Sequence, residues 1–463
     1  MKKPLVGLLP LYVKYYDEVL PDLAAQVEPF VHRVETALSG GGLNVVVSPT
    51  ARTRPDFASA VAQFEAAGAD AIITLHLAYS PSLESAEVLA GTTLPLIMLD
   101  TTPDRDFGRD VDPMRLLFNH GIHGLQDLAS VLRRLGKPYR VVAGHLDDAG
   151  LVPRCVEVVR AARAAKCLRS IRALRIGGVF AGMGDFAVSD KALSKTLGIT
   201  VEDIELGDLA DSITTDDESA VFAEIATDRK RFRVDCASAV HERSVRVGLG
   251  LRKYLDRGGY GAFSLNFLAF QDSTGPVATV PFLECCKSMA RGLGYAGEGD
   301  VLTAALVGAL LQGFGATTFT EIFCADWAGQ SLFLSHMGEI NCAETAAQPL
   351  LYEKEFPFTP ALNPATLACA PRPGPATFVN LAPGPDDSFR LITAPVEVLA
   401  DGTHPDLDRW VRGWIRPAVP LPRFLEEFSH LGGTHHSALM FGDHCAAMAD
   451  FSSFLKIEHC TIS

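Results

Sequence analysis

Two acidic residues lie in an otherwise apolar stretch of the chain, residues 294–321. Glu298 is framed by glycines and is followed by an apolar helical segment, and Glu321 ends a run of apolar and hydroxyl-bearing side chains. A carboxylate is costly to bury unless it is paired, hydrogen-bonded or bound to a metal. The stretch therefore predicts either a polar network in the core or a metal site.

Three histidines further along the chain are candidates to complete such a site. His336 lies in a Ser-His-Met segment, and His435 and His436 follow a pair of glycines. The successive gaps are 23 residues from Glu298 to Glu321, 15 from Glu321 to His336 and about 100 from His336 to His436, and no short metal-binding motif has those gaps. A histidine between apolar neighbours is also typical of a hydrogen-bonded core residue, so spacing alone leaves both interpretations open.

The first third of the chain alternates short apolar runs with segments of helical period. Repeated strand–helix units predict a parallel sheet with right-handed crossovers. The predicted strands are 5–9, 43–48, 69–75, 94–99 and 139–143, and the predicted helices are 23–38, 56–66 and 115–135.

Ligands collect outside the carboxyl ends of the strands in such a sheet. Residues 10–12, His76 and residues 100–102 occupy those positions here. His76 could equally be a hydrogen-bonded loop residue, and Asp100 could equally be a helix cap. Further on, His120 and His123 share a helical face because they are three residues apart, and a capping or surface role fits them as well.

A second alternating region follows, and then the pattern changes. Strands are predicted over 172–180, 203–206 and 262–267, and helices over 219–227, 237–255 and 282–293. Proline-rich sequence over 363–387 breaks any helix, and residues 377–381 and 388–393 are typical of short antiparallel strands. We therefore predict an α/β protein with two successive Rossmann-like α/β domains, residues 1–168 and 169–315, and a β-rich C-terminal domain, residues 316–463, that carries metal-site residues.

Composition excludes several classes of protein. The chain has 463 residues, of which 48% are hydrophobic and 21% charged, which is typical of a soluble globular protein. Its longest apolar run is far shorter than the ~20 residues that span a bilayer. The net charge of −14 and the lack of a basic cluster argue against nucleic-acid binding. Ten cysteines without a CxxC motif indicate reduced thiols, and we expect a cytoplasmic protein.

Four segments together resemble the bacterial L-arabinose isomerases. They are RIGGVFAGMGDFAVSD at 175–190, GLGYAGEGDVLTAAL at 292–306, SHMGE at 335–339 and GGTHHS at 432–437. The resemblance implies a divalent-metal site, usually Mn²⁺, with Co²⁺ or Mg²⁺ as other candidates. Its ligands would be Glu298, Glu321, His336 and His436, and His435 would line the site.

The resemblance further implies a homo-oligomer, a trimer or hexamer, with active sites at subunit interfaces. His123 would reach into a neighbouring subunit's site, and Tyr12 and Met183 are the other expected substrate-binding residues. Two departures concern the substrate: residues 9–13 (LPLYV) replace the family's Gln-His-Leu-Tyr-Gly turn, and residues 322–327 (IFCADW) replace an aromatic, histidine-bearing segment.

Two carboxylates and two imidazoles suit Mn²⁺ or Co²⁺ better than a structural zinc. We therefore predict a metal-dependent aldose–ketose isomerase that acts on a pentose or hexose through an enediol, with Glu298 and Glu321 as the catalytic acid and base in either order. The alternatives are a non-catalytic sugar-binding or regulatory protein of the same fold, and a metal-dependent sugar epimerase or lyase. Neither a nucleic acid nor a membrane is expected as a partner.

Overall fold

The computed structural model of the protein describes residues 2–214 and 217–463. The chain forms two compact units. The first comprises Met1–Lys166 and Ala449–Lys456, and the second comprises Cys167–Met448 and Ile457–Ser463.

The first unit is built on one parallel sheet with strand order β2-β1-β3-β4-β5, as the alternation of strands and helices predicts. Its elements are β1 (Leu5–Leu11), α1 (Lys14–Val19), α2 (Leu23–Gly40), β2 (Asn44–Val47), α3 (Arg54–Ala66), β3 (Ala71–His76), α4 (Ser82–Gly91), β4 (Leu96–Asp100), α5 (Leu116–Asn119), α6 (Ile122–Arg134), β5 (Tyr139–Ala143) and α7 (Leu151–Leu168), the last of which runs into the second unit. Apolar side chains of α3, α4 and α6 pack with those of the sheet in one buried cluster.

The single helix predicted over 115–135 is wrong, because the chain leaves helical geometry between α5 and α6. His120 has φ −98° and ψ 23°, and its Nδ1 hydrogen-bonds the carbonyl oxygen of Leu116 at 2.8 Å. The next residue, Gly121, packs directly on the carbonyl group of His76, where a Cβ would collide. The break therefore results from tertiary packing at the end of β3.

The second unit begins with another parallel sheet, of order β10-β9-β6-β7. Its first elements are β6 (Arg172–Ile176), α8 (Asp190–Ala192), β7 (Thr200–Ile204), α9 (Leu206–Thr214), α10 (Glu218–Arg231), β8 (Arg233–Asp235), α11 (Ser238–Gly258), β9 (Ala262–Leu265), α12 (Phe282–Ala290), β10 (Gly294–Gly297) and α13 (Val301–Gly313). The strand predicted over 203–206 is displaced, since β7 ends at Ile204 and Leu206 already begins α9. The strand predicted over 172–180 ends earlier, at Ile176.

The rest of the second unit is rich in strands. The elements are β11 (Thr317–Asp326), β12 (Ser331–Ser335), β13 (Leu350–Glu353), β14 (Ala365–Ala368), β15 (Gly374–Pro383), β16 (Phe389–Val398), β17 (Gly413–Pro417), α14 (Leu421–His430), β18 (His436–Phe441), α15 (Cys445–Leu455) and β19 (Glu458–Thr461), with the end of α15 in the first unit. Six strands close a barrel in the order β15-β18-β11-β12-β17-β16, because β16 also pairs with β15. A smaller sheet has the order β14-β13-β8.

The two α/β sheets and the β-rich C-terminal region agree with the predicted fold class. The compact units place residues 169–315 together with most of 316–463, so the division into three domains stays a prediction. Within the described residues, no helix has both the length and the apolar character that crossing a membrane requires.

Candidate metal centre

The second unit brings together five of the residues singled out in the sequence. Glu298, His435 and His436 form one group, and Glu321, His336 and His436 form another. Within each group, one ligand atom per residue lies within 4.8 Å of the others. The two groups share His436 and so form one carboxylate–imidazole cluster, called the site cluster below.

Glu298 enters the cluster from the turn between β10 and α13, and its glycine neighbours make that turn feasible. Its own φ is +65°, a left-handed conformation that few non-glycine residues adopt. A Cβ on Gly297 would lie 2.7 Å from Cε1 of His336, and one on Gly299 would lie 2.5 Å from the carbonyl oxygen of Gly178. The glycines thus allow a close approach of backbone and imidazole, which accounts for the glycine frame seen in the sequence.

The barrel ladder positions three of the other four members. Glu321 of β11 pairs with His436 at the start of β18 and with Ser335 at the end of β12. His336 follows Ser335 directly. Antiparallel register therefore brings together Glu321, His436 and His336, which lie as far as 115 positions apart in the sequence.

Each imidazole of the cluster is held at Nδ1 by a carboxylate. The pairs are His336 with Glu339 at 2.7 Å, His436 with Asp300 at 3.0 Å and His435 with Asp185 at 2.6 Å. A carboxylate accepts a hydrogen bond from Nδ1–H, which leaves Nε2 as the free ring nitrogen. Nε2 of His436 lies 3.4 Å from Oε2 of Glu298, and Nε2 of His336 lies 3.9 Å from Oε2 of Glu321.

Two buried polar atoms inside the cluster lack a hydrogen-bond partner within the described part of the chain. They are Oε2 of Glu298 and Nε2 of His436, in residues that are 6% and 0% exposed. Such atoms are rare in folded proteins unless a ligand, water or ion satisfies them. Carboxylate oxygens and imidazole nitrogens whose outer nitrogen is already held by a carboxylate form a typical donor set for a divalent metal. The residues present therefore fit the metal site that the sequence predicts.

Aromatic rings restrict the movement of two imidazoles of the site cluster. The ring of Phe319 lies edge-on to His336 and to His436, with centroids 4.8 and 5.0 Å away. Phe186 stacks on His436 at 5.2 Å with an interplanar angle of 8°. Packing of this kind holds donor atoms in one geometry before any ligand arrives.

The turn before β18 depends on a single fully buried amide. Nδ2 of Asn380, on β15, donates to the backbone oxygens of Thr434 and His436, at 3.0 and 2.7 Å, and contacts the hydroxyls of Thr434 and Ser437. Its Oδ1 accepts from the backbone N–H of Thr434 at 3.2 Å. One side chain thereby fixes the backbone that presents both histidines.

The two glutamates differ in their electrostatic environment. Burial raises the pKa of Glu321 above its usual value, and the nearby imidazoles offset this only in part. Burial acts in the same direction on Glu298, but the neighbouring imidazoles of His435, His436 and His336 hold its pKa well below the usual range.

The pKa values of His435 and His436, which interact with Glu298, are raised. Burial opposes protonation of His435, yet the carboxylates of Asp185 and Glu298 raise its pKa to about 10. The pKa of His436 is raised against burial to about 9 by Asp300 and Glu298. Burial would raise the pKa of Asp185, but its hydrogen bonds with His435 lower it to about 2.

The predicted substrate-binding residues are divided between the units. Met183 is half-buried in the loop after β6, two residues before Asp185. Tyr12 and His123 belong to the first unit, where Tyr12 is buried and His123 is exposed near the head of α6. His76 is buried at the end of β3, and burial lowers its pKa to about 3.

Sequence reasoning did not assign a role to the residues that support the cluster. Asp300 and Glu339 could have been identified from the sequence, because they follow the candidate ligands Glu298 and His336 by two and three positions. Asp185 lies in the motif segment 175–190, but neither its contact with the turn before β18 nor that of Asn380 has a local signal, since the contacts span 250 and 54 residues.

Comparison with known proteins identifies the class first. Residues 180–312 match the family model described as the L-arabinose isomerase central domain, and residues 316–458 match that of the L-arabinose isomerase C-terminal domain. The two matches together cover more than half of the chain. They define the protein as an aldose–ketose isomerase, an intramolecular oxidoreductase.

Full-length relatives give the family. An L-arabinose isomerase of Shouchella clausii is 28% identical over 471 residues, covering 98% of this chain and 93% of the relative. One from Nocardioides sp. is 30% identical over 347 residues, covering 71% of this chain and 67% of the relative, and one from Bacillus subtilis is 28% identical over 418 residues, covering 85% and 81%. The chain belongs to the L-arabinose isomerase family, which confirms the resemblance predicted from its motifs.

Proposed function

We propose that the protein is a divalent-metal-dependent isomerase that interconverts an aldose and a ketose, a pentose or hexose, through an enediol. The observation that carries the proposal is the site cluster, where buried carboxylates and imidazoles face one another with unpartnered donor atoms. The fold alone would not support it, because α/β folds host many functions.

Glu298, Glu321, His336 and His436 would hold the metal, with Mn²⁺ as the first candidate and Co²⁺ or Mg²⁺ as the others. When bound, the metal would stabilise negative charge that develops on the sugar's carbonyl and adjacent hydroxyl oxygens. Glu339 and Asp300 would keep the ligand imidazoles in the tautomer that leaves Nε2 free for coordination.

The same glutamates would also transfer protons. Converting an aldose to a ketose moves a proton between C1 and C2, and a second proton between the two oxygens. One of Glu298 and Glu321 would accept the carbon-bound proton, and the other would transfer the hydroxyl proton. Both side chains are largely buried, which protects such a transfer from bulk water.

The names of the relatives suggest L-arabinose as the first substrate to test. We propose that His435, Met183, Tyr12 and His123 contact the sugar, the last from a neighbouring subunit. The replaced segment 322–327, immediately after Glu321, is where a different sugar preference would arise.

A homo-oligomer, a trimer or hexamer, is part of the proposal. The first unit leaves large apolar side chains in solvent, with Val19 47% and Met114 64% exposed. Val19 and Met114 line one cavity of about 440 Å³ together with Leu117 and Phe118. Apolar surface of this kind is typical of a face that another chain covers. The ten cysteines are all free, which suits the reducing cytoplasm we propose as the compartment.

Metal analysis and a sugar panel test the proposal. Protein is purified, its bound metal is measured, and pentoses and hexoses are assayed for ketose formation before and after chelation and after Mn²⁺ is restored. We expect at least one aldose to be isomerised, activity to disappear with the chelator and to return with Mn²⁺. Binding of a sugar without turnover would support the non-catalytic alternative, and an epimer or dehydrated product would support the epimerase or lyase.

A further inference from the structure

The site cluster is closed on one side and open on the other. The side chains of His336 and His436 are 2% and 0% exposed, whereas those of His435 and Asp185 are 30% and 36% exposed. Of the three histidines, only His435 therefore offers an imidazole that a molecule arriving from solvent could touch.

Asp185 holds His435 at two points. Its Oδ2 accepts from the backbone N–H of His435 at 2.9 Å and from Nδ1 of the same ring at 2.6 Å. These two hydrogen bonds restrict the rotation of the ring and fix its tautomer. Nε2 is then the only free ring nitrogen, and it lies 3.6 Å from Oε2 of Glu298.

The loop that carries Asp185 is itself tied to the cluster. The backbone N–H of Phe180 donates to the carbonyl oxygen of Glu298 at 2.9 Å, and the ring of Phe186 lies 5.4 Å from that of His435. Asp185 thus stands between two anchored positions. Its carboxylate is placed by the loop and in turn places His435.

The geometry points to Asp185 as a positioning residue that fixes Nε2 of His435 at the open side of the site, where it hydrogen-bonds a hydroxyl group of the sugar. The inference rests on the proposed function and adds to it a residue outside the ligand set. An imidazole nitrogen held in one direction is suited to a polyol, because sugar pockets orient hydroxyls with a few fixed polar groups. The contact would orient the sugar and would not bind the metal.

The test uses the full-length, Mn²⁺-loaded protein and the variants Asp185→Ala, Asp185→Asn and His435→Ala. Binding of L-arabinitol, a polyol without a carbonyl group, is measured by calorimetry, and kcat and KM are measured with the best aldose of the panel. We expect Asp185→Ala to weaken polyol binding and to raise KM by about tenfold, the scale of one lost hydrogen bond to a charged or oriented group, with bound Mn²⁺ unchanged. Asp185→Asn keeps an acceptor oxygen and should show a smaller effect.

A double variant separates positioning from a general structural role. If Asp185 acts through His435, adding Asp185→Ala to His435→Ala should cause no further loss. Asp190→Asn is the matched control, because Asp190 follows in the same segment and pairs with Arg175, which keeps Asp203 as a second partner.

The possible outcomes distinguish a failure of this inference from a failure of the proposed function. If the wild type turns over an aldose and Asp185→Ala has the same polyol affinity and KM, the inference alone is overturned. A further loss of polyol binding in the double variant would also overturn it, and so would a loss of bound Mn²⁺ in Asp185→Ala and Asp185→Asn. A wild-type protein that neither isomerises an aldose nor binds the polyol would overturn the proposed function and the inference with it.

Discussion

The second unit buries two groups of charged side chains, and they are compensated in different ways. One group, called the helix network here, lies among α10, α11 and α12. Its acids are Glu224, Asp228 and Glu284, and its bases are His241, Arg252, Lys287 and Arg291. Every acid in it meets a lysine or arginine, so the network is complete within the protein.

The carboxylates at the site cluster are paired differently. Glu298 and Glu321 of the cluster form their ion pairs in the described structure only with histidines, and so do the carboxylates that hold its imidazoles, those of Asp185, Asp300 and Glu339. Burying carboxylates without compensation is unfavourable. The comparison separates a network compensated by lysine and arginine from a cluster whose acids meet only imidazoles, and the second pattern is the one that supports the metal site proposed above.

The largest effect is expected from a substitution that breaks the helix network. Lys287 is 2% exposed, and its Nζ lies 2.8 Å from Oε1 of Glu224 and 2.7 Å from Oδ2 of Asp228. Lys287→Met should lower the free energy of unfolding by roughly 3–5 kcal/mol, because it leaves buried carboxylates short of a partner. Urea unfolding measures this, with the exposed Lys195→Met as control. Equal stability of the two variants would contradict the structural role of the network.

The next effect sharpens the contrast at the site cluster. Glu298→Gln and Glu321→Gln should each lower turnover by ~10²-fold or more, the usual scale for losing acid–base catalysis, and should weaken Mn²⁺ binding. Steady-state kinetics and metal analysis measure the two effects. Glu397→Gln, at an exposed position of β16, is the control and should behave as wild type. Unchanged activity in either site variant would remove that glutamate from the proposed mechanism.

The smallest expected effect is a pH dependence of the helix network. Burial alone would raise the pKa of Glu224, but Arg252 and Lys287 hold it at about 2. Because this lies below the value of about 4.3 in an unfolded chain, the stabilisation is complete above that pH and is lost as the pH falls toward 2.

Urea unfolding at about pH 5 and about pH 3 tests this dependence in wild type and Glu224→Gln. The wild type should lose more stability between the two pH values than the variant does. Glu397→Gln again serves as control and should follow the wild type. Parallel losses in all three proteins would show that Glu224 contributes nothing to acid sensitivity.

The local sequence accounts for much of the fold. Apolar runs of strand length alternating with helical segments predict both parallel sheets, because period and turn residues are local properties. The break at His120 was not predictable in this way, since it depends on the contact of Gly121 with the end of β3. Closure of the barrel by pairing of β15 with β16 and β18 likewise has no local signal.

At the site, the sequence by itself determined the types of side chain and the glycine frame that lets Glu298 adopt a left-handed conformation. Only the tertiary structure decided their partners: Asp300 meets His436 across 136 residues and Asp185 meets His435 across 250. Such pairings follow from strand register and loop packing, which no short stretch of sequence encodes. Chemistry is therefore visible in the residues, while the geometry that orients it arises when distant segments fold together.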